Sequence, residues 1–183
     1  MTTFKFDPHK PFDCFIVQSE SMKSAVENAK RFAMFDAPLL IQGETGSGKD
    51  LLAKACHYQS LRRDKKFIAV NCAGLPDEDA ESEMFGRKVG DSETTGFFEY
   101  ANKGTVLLDG IAELSLSLQA KLLRFLTDGS FRRVGEEKEH YANVRVICTS
   151  QVPLHLLVEQ GKVRADLFHR LNVLTLNVPA LRD

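Results

Sequence analysis

Cysteine is scarce and unpatterned in this sequence: Cys14, Cys56, Cys72 and Cys148 stand apart with no CxxC pair. That argues against a disulfide framework, and five histidines without ligand spacing argue against a structural zinc site. A charge excess is lacking too. The formal net charge of −1 offers no electrostatic grip on a nucleic-acid backbone. No apolar run approaches the roughly 20 residues that span a bilayer, and MTTFKFDPHK has no signal-peptide core. Internal repeats and low-complexity tracts are absent as well. These absences fit a soluble protein of a reducing cytoplasm, with no membrane partner.

What remains is ordinary globular material, 43% hydrophobic and 27% charged, long enough at 183 residues for one buried core. Residues 1–15 read as a lead-in whose aromatics, Phe4, Phe6, Phe12 and Phe15, serve as packing staples rather than base-stacking platforms. Helical spacing of Met22, Ala25, Val26, Ala29, Phe32 and Ala33 predicts a helix over 21–35 with Ser21 as its cap. Short apolar runs at 39–41, 67–70, 105–109, 144–148 and 173–178 read as strands. Between them lie helices to about Tyr58 (apolar face Leu51, Leu52, Ala55), over 77–85, over 114–126, and near 154–159 and 163–171. Strands alternating with helices predict an α/β fold with a parallel sheet covered on both faces. Gly86–Gly96, GRKVGDSETTG, is polar and aperiodic and reads as an exposed loop. FRRVG at 131–135, followed by Glu136, Glu137 and Glu139, reads as a solvated mixed-charge hairpin rather than a DNA contact.

The chain is organised around PLLIQGETGSGKDLLAKACH at 38–57. A strand runs into GxxxxGK, Gly43 to Lys49, and then into an amphipathic helix. Such a turn points successive backbone N–H groups at a phosphate chain; the helix N-terminus adds partial positive charge and Lys49 a full one. A bare GxxxxGK arises by chance in roughly 5% of chains this long, but here it sits between the strand and helix the mechanism needs. Gly43, Glu44, Thr45, Gly46, Ser47, Gly48, Lys49 and Asp50 are therefore the candidate nucleotide-binding residues. Asp50 stands where a magnesium-ligating hydroxyl is usual; a carboxylate can hold the metal directly or through water while adding negative charge.

A second acid is expected at the carboxyl end of a neighbouring strand, and Asp109 in TVLLDG fits. Hydrolysing sites of this kind commonly carry a glutamate next, to polarise the attacking water. Here that residue is Gly110, and general-base help is worth ~10²–10⁴-fold in rate, so ATP hydrolysis is expected to be weak. Glu113 is the nearby acid, read by preference as an ordinary acid at a helix start. Arg164 and Arg170 are candidate arginine fingers toward a neighbouring subunit. From spacing alone, surface ion pairing with Asp166 or other acids is the favoured role for both.

GETGSGKD, NCAGLPDEDAESEMFG, GFFEYANKGTVLLDG, QAKLLRFLTDGSFRRVG, VRVICTSQ and VRADLFHRLNV occur in the order found in the central AAA+ domain of sigma-54-type bacterial transcription regulators. The sequence resembles that domain from about Phe15 to Asp183. The resemblance implies a P-loop NTPase core over 16–183, with Gly43–Asp50 on the ATP phosphates and Asp109 holding magnesium. An acid at Asp50 is usual in that family. Gln151 stands where a sensing asparagine is more typical, and Arg164 and Arg170 match inter-subunit arginines. The GAFTGA loop of true sigma-54 activators is replaced by GRKVGDSETTG, which, with VICTSQ and LNVLTLNVPALRD, resembles the tyrosine-responsive branch of the family. That implies ATP-dependent binding of tyrosine or another aromatic amino acid, self-association from dimer to hexamer, and control, mainly repression, of aromatic amino-acid biosynthesis and transport genes. The sequence stops before the helical lid and the DNA-binding helix-turn-helix, so a fragment of a longer regulator is expected. The alternatives are an active AAA+ ATPase remodelling RNA polymerase, which the missing apolar loop tip disfavours, and a small-molecule P-loop kinase, for which no acceptor-site base is evident.

Overall fold

The computed structural model describes residues 6–15 and 19–180; Phe4 and the final LRD fall outside them. Helix α1 (Glu20–Phe32) leads into β1 (Leu39–Gln42), α2 (Lys49–Gln59), β2 (Phe67–Asn71), α3 (Asp77–Phe85) and a hairpin, β3 (Arg87–Val89) and β4 (Ser92–Thr94). Then come α4 (Phe97–Tyr100), β5 (Thr105–Asp109), α5 (Leu116–Asp128), a second hairpin, β6 (Ser130–Arg132) and β7 (Glu139–Tyr141), then β8 (Arg145–Ser150), α6 (Leu154–Glu159), α7 (Ala165–Leu171) and β9 (Leu174–Asn177). The main sheet is parallel, in the order β2-β5-β8-β1-β9. The expected covered parallel α/β sheet is therefore present.

Its two faces follow from side-chain alternation along each strand. Leu39, Ile41, Leu107, Ile147 and Leu176 pack with α1 and α2 residues such as Val26, Ala29, Leu52 and Cys56. Leu40, Val106, Leu108, Val146 and Cys148 point the other way, into a core with Met84, Phe85, Leu122, Phe125 and Leu167. A buried leucine truncated to alanine in such a core costs about 2–5 kcal/mol. Of the lead-in aromatics, Phe12 is buried, and Phe6 and Phe15 pack beside the α1/α2 core.

Several sequence expectations shift. The cap of α1 is Ser19, whose hydroxyl accepts from Met22 N at 3.2 Å, not Ser21. The buried face of α2 is Leu52, Ala53, Ala55, Cys56 and His57, with Leu51 only half-buried. The helix expected from Leu114 starts at Leu116 behind the Ser115 cap. The largest change is Gly86–Gly96. It is not an irregular loop but the β3–β4 hairpin, pairing Arg87 with Thr94 and Val89 with Ser92 across Gly90–Asp91.

Backbone bonds from Lys88 N to Val134 O and from Val134 N to Gly86 O, both 2.9 Å, tie this hairpin to the FRRVG segment. FRRVG does form a hairpin strand, but Arg133 is not solvated. Its side chain is mostly buried and donates to both Glu99 carboxylate oxygens at 2.9 and 3.0 Å. Local polarity could not reveal this, since the partners come from elements far apart in the chain.

The amino ends of the strands hold a set of satisfied buried polar groups. Arg145, 1% exposed, donates to Phe32 O at 2.6 Å and Ala33 O at 2.9 Å, capping the last turn of α1 with a cation. Burial lowers its pKa. Arg62 donates to Asn143 Oδ1 at 2.7 Å, Gly104 O at 3.0 Å and Asp36 Oδ1 at 3.2 Å. His57 is enclosed, with Nε2 3.1 Å from Lys65 O and Nδ1 2.7 Å from Thr105 Oγ1. A carbonyl can only accept, so Nε2 carries the proton and Nδ1 accepts from the threonine hydroxyl. Desolvation first, then nearby Arg145 and Arg62, brings its pKa down to about 4.

Candidate functional site

Strand register decides what meets at the carboxyl edge of the sheet. Asn71, Asp109 and Thr149 occupy one row across β2, β5 and β8, and Gln42 pairs with Ser150 and Asn177 in the next. The chain leaves β1 at that edge, where sheets of this kind place their ligands. The turn from Gly43 to Gly48 then delivers Lys49 as the first residue of the 11-residue helix α2.

The turn is shaped for close approach. A β-carbon on Gly43 would stand 2.8 Å from Val178 O and 2.9 Å from Ser47 Oγ, so no side chain fits there. Lys49 is only 7% exposed, and its ammonium donates to Gly43 O at 2.7 Å and Glu44 O at 2.9 Å. Ser47 is buried and, among the described residues, its hydroxyl has no hydrogen-bond partner. A buried polar atom without a partner costs about 1–3 kcal/mol. The cation held on the loop's own carbonyls and the unpartnered hydroxyl are therefore what a phosphate chain would engage. Glu44, Thr45 and Gly46 form the exposed rim. Phe15 reaches the same turn, its Cε1 4.0 Å from where a Gly48 β-carbon would be.

The two expected acids meet. The pKa of Asp50 is raised by desolvation first, and then by the charge of, and a hydrogen bond with, Asp109; Lys49 opposes the shift. Two carboxylates in contact repel unless a proton or a cation lies between them. Among the described residues no group of three or more His, Cys, Asp or Glu side chains could hold a metal by itself. Two carboxylates are a donor set of the kind magnesium uses, since that ion takes one or two carboxylates and completes its shell with phosphate and water oxygens. Asp109 is oriented by Thr149, whose hydroxyl donates to Oδ1 at 2.6 Å while accepting from Gly110 N at 3.2 Å. Sequence reasoning missed Thr149; its only signal was a hydroxyl directly after the apolar run Val146–Cys148.

Beside the pair opens a cleft of about 500 Å³ lined by Asn71, Asp109, Gly110, Glu113, Gln151 and Lys162, among others. Gln151 lies at the same sheet edge as Asp109, in this cleft. Arg164 and Arg170 do not line this cleft. Arg164, exposed at the start of α7, grips Asp166 with two bonds of 3.0 and 2.9 Å. Exposed Arg170 donates to Leu126 O at 3.1 Å. Ion pairing, favoured from spacing, is what Arg164 makes. Gln119 was also missed. Fully buried on the leucine face of α5, it donates to Leu114 O at 2.9 Å and Lys162 O at 3.0 Å, and accepts from Arg164 N at 2.9 Å. A lone polar residue on an apolar stripe was its only mark.

Comparison with known proteins agrees with this fold. The family described as "Sigma-54 interaction domain" matches residues 15–177. The chain belongs to that family. Within it, the chain is 96% identical over all 183 residues to the HTH-type transcriptional regulatory protein TyrR of Haemophilus influenzae, of which it spans 58%. It is 56% identical over 177 residues to TyrR of Enterobacter agglomerans, spanning 34% of that protein. The branch of the family suggested by the sequence is thus the one that contains these TyrR proteins. Among solved structures, NtrX from Brucella abortus in complex with ATP superposes with a TM-score of 0.85 at 35% identity, over 94% of this chain and 40% of that one. The P-loop NTPase domain of an E. coli sigma-54 activator, at 17% identity and TM-score 0.65, supports the fold alone. Among the described residues no helix is long and apolar enough to cross a membrane.

Proposed function

We propose that this chain is the ATP-binding switch domain of a TyrR-type, DNA-binding transcription regulator of the cytoplasm. ATP binds through the Gly43–Asp50 turn, with Lys49 and Ser47 on the phosphates, and Asp50 and Asp109 hold magnesium. Magnesium would supply charge neutralisation of the phosphates. Gln151 reports on the terminal phosphate. Nucleotide and an aromatic amino acid, tyrosine foremost, drive self-association from dimer toward hexamer. Arg164 and Arg170 face the neighbouring subunit in that assembly. The outcome is control, mainly repression, of genes for aromatic amino-acid biosynthesis and transport, with DNA held by a helix-turn-helix outside this chain. The observation that carries nucleotide binding is the unspent bonding capacity of the turn, the unpartnered Ser47 hydroxyl beside a buried Lys49.

Turnover is expected to be slow, because Gly110 supplies no side chain beside Asp109. A second reading, an active ATPase that remodels RNA polymerase, needs a movable apolar loop. The β3–β4 hairpin has Gly90–Asp91 at its tip and is pinned to Val134 by backbone bonds. RNA polymerase contact of another kind stays compatible with the reading. Sedimentation with and without magnesium-ATP and tyrosine, beside titration with a fluorescent ATP analogue, tests the proposal. Nucleotide binding with ligand-linked growth in mass is the expected result. Absence of nucleotide binding would refute it.

A further inference from the structure

Gly110 leaves the expected water-polarising position without a side chain, and the turn that follows brings the side chain of another acid, Glu113, close to it. Gly110 has φ +81° and ψ 57°, a left-handed conformation that turns the chain sharply after Asp109. The short 3₁₀ turn Ile111–Glu113 closes at once, with Glu113 N donating to Gly110 O at 2.9 Å. As a result the Glu113 side chain folds back. Its Cγ lies 3.5 Å from the point where a β-carbon on Gly110 would stand, nearer than any other atom outside Asp109–Ile111.

Glu113 and Asp109 are the two acids lining the cleft that also contains Gln151. They differ in commitment. Asp109 accepts from Thr149 and faces Asp50. Glu113 is exposed and lines the cleft, and among the described residues its carboxylate makes no hydrogen bond or ion pair. A general base for hydrolysis needs that combination of free oxygens, access to water and closeness to the metal-holding acid.

We infer that Glu113 is the general base for the residual ATP hydrolysis of this site, taking the role that Gly110 leaves unfilled. The inference rests on the ATP-binding reading above. In the step, the water oxygen bonds to the γ-phosphorus and the bond from that phosphorus to the β–γ bridging oxygen breaks. ADP departs with the electron pair, and the water proton passes to a Glu113 carboxylate oxygen and from there to solvent. Access from a turn four residues beyond Asp109 is less direct than from the adjacent position, in keeping with slow turnover.

The test pairs phosphate release with fluorescent-ATP binding, in magnesium, for the unmodified protein, Lys49→Ala, Glu113→Gln and the double variant Gly110→Glu/Glu113→Gln. Glu113→Gln is expected to lower turnover about 10- to 10²-fold while leaving the nucleotide Kd within about twofold. The double variant is expected to recover turnover, since a side chain at 110 enters the same space. The inference is overturned if Glu113→Gln releases phosphate at the unmodified rate, or if it loses nucleotide binding along with turnover. It is overturned as well if the double variant binds nucleotide and stays slow, or if the unmodified protein binds ATP with no release above the Lys49→Ala background. Failure of every protein to bind nucleotide would instead strike at the ATP-binding reading itself.

Discussion

The two ends of the same five strands are built on opposite principles. At the amino end Arg145 and His57 are enclosed, Arg62 is half-buried, and their polar atoms are matched to carbonyls, a side-chain amide, a hydroxyl and a carboxylate. At the carboxyl end Ser47 has a buried hydroxyl with no partner among the described residues, Lys49 rests on the loop's own carbonyls, and Asp50 crowds Asp109. Packing alone would satisfy both ends. The difference teaches that the carboxyl end keeps bonding capacity for a ligand, while the amino end spends its capacity on holding the fold.

Exchanging the roles of the two ends is the way to break this comparison. Lys49→Ala should weaken ATP binding by about 3 kcal/mol or more, roughly 10²-fold in Kd, with the melting temperature of the free protein little changed. Isothermal titration and thermal denaturation read the two effects separately. Arg145→Met should do the reverse. It strips the cation from the last turn of α1 and leaves buried carbonyls unpaired, costing about 2–4 kcal/mol of stability, while ATP affinity measured well below the melting temperature stays the same.

His57 sharpens the contrast through pH. Its folded-state pKa of about 4 lies below the ordinary 6.5, so the unfolded chain binds the extra proton first. The stabilisation is complete above about pH 6.5 and is lost as pH falls toward 4, up to about 3 kcal/mol in all. Denaturant unfolding across that range should show the slope, and His57→Gln should flatten it. Gly110→Glu should raise phosphate release at least about tenfold and lower stability by about 1–2 kcal/mol, because a side chain enters a left-handed position. Smallest of all, Asp50→Asn should raise the melting temperature of the ligand-free protein slightly by relieving the contact with Asp109, and should reduce the gain from added magnesium-ATP.

Legibility in the sequence tracked the distance over which each feature is assembled. The phosphate turn was readable because strand, glycines, lysine and helix start lie within one short stretch. The parallel sheet was readable because each buried strand is a compact apolar run. The GRKVGDSETTG hairpin was not, since its ordering depends on Val134, more than 40 residues away, and polar strands carry no alternation to read. Nor was the burial of Arg133, whose partner Glu99 is 34 residues distant.

The sequence by itself determined that this chain carries a phosphate-binding turn, an acid on a neighbouring strand, and a glycine where a base is expected. Those are local statements, and local chemistry suffices for them. Tertiary structure decided that Thr149, 40 residues from Asp109, orients it. It also decided that buried Gln119 ties the start of α7 to α5, and that a left-handed glycine folds Glu113 back beside the empty position. Register across a parallel sheet and the handedness of one turn set these contacts, and neither is written in the spacing of residues along the chain.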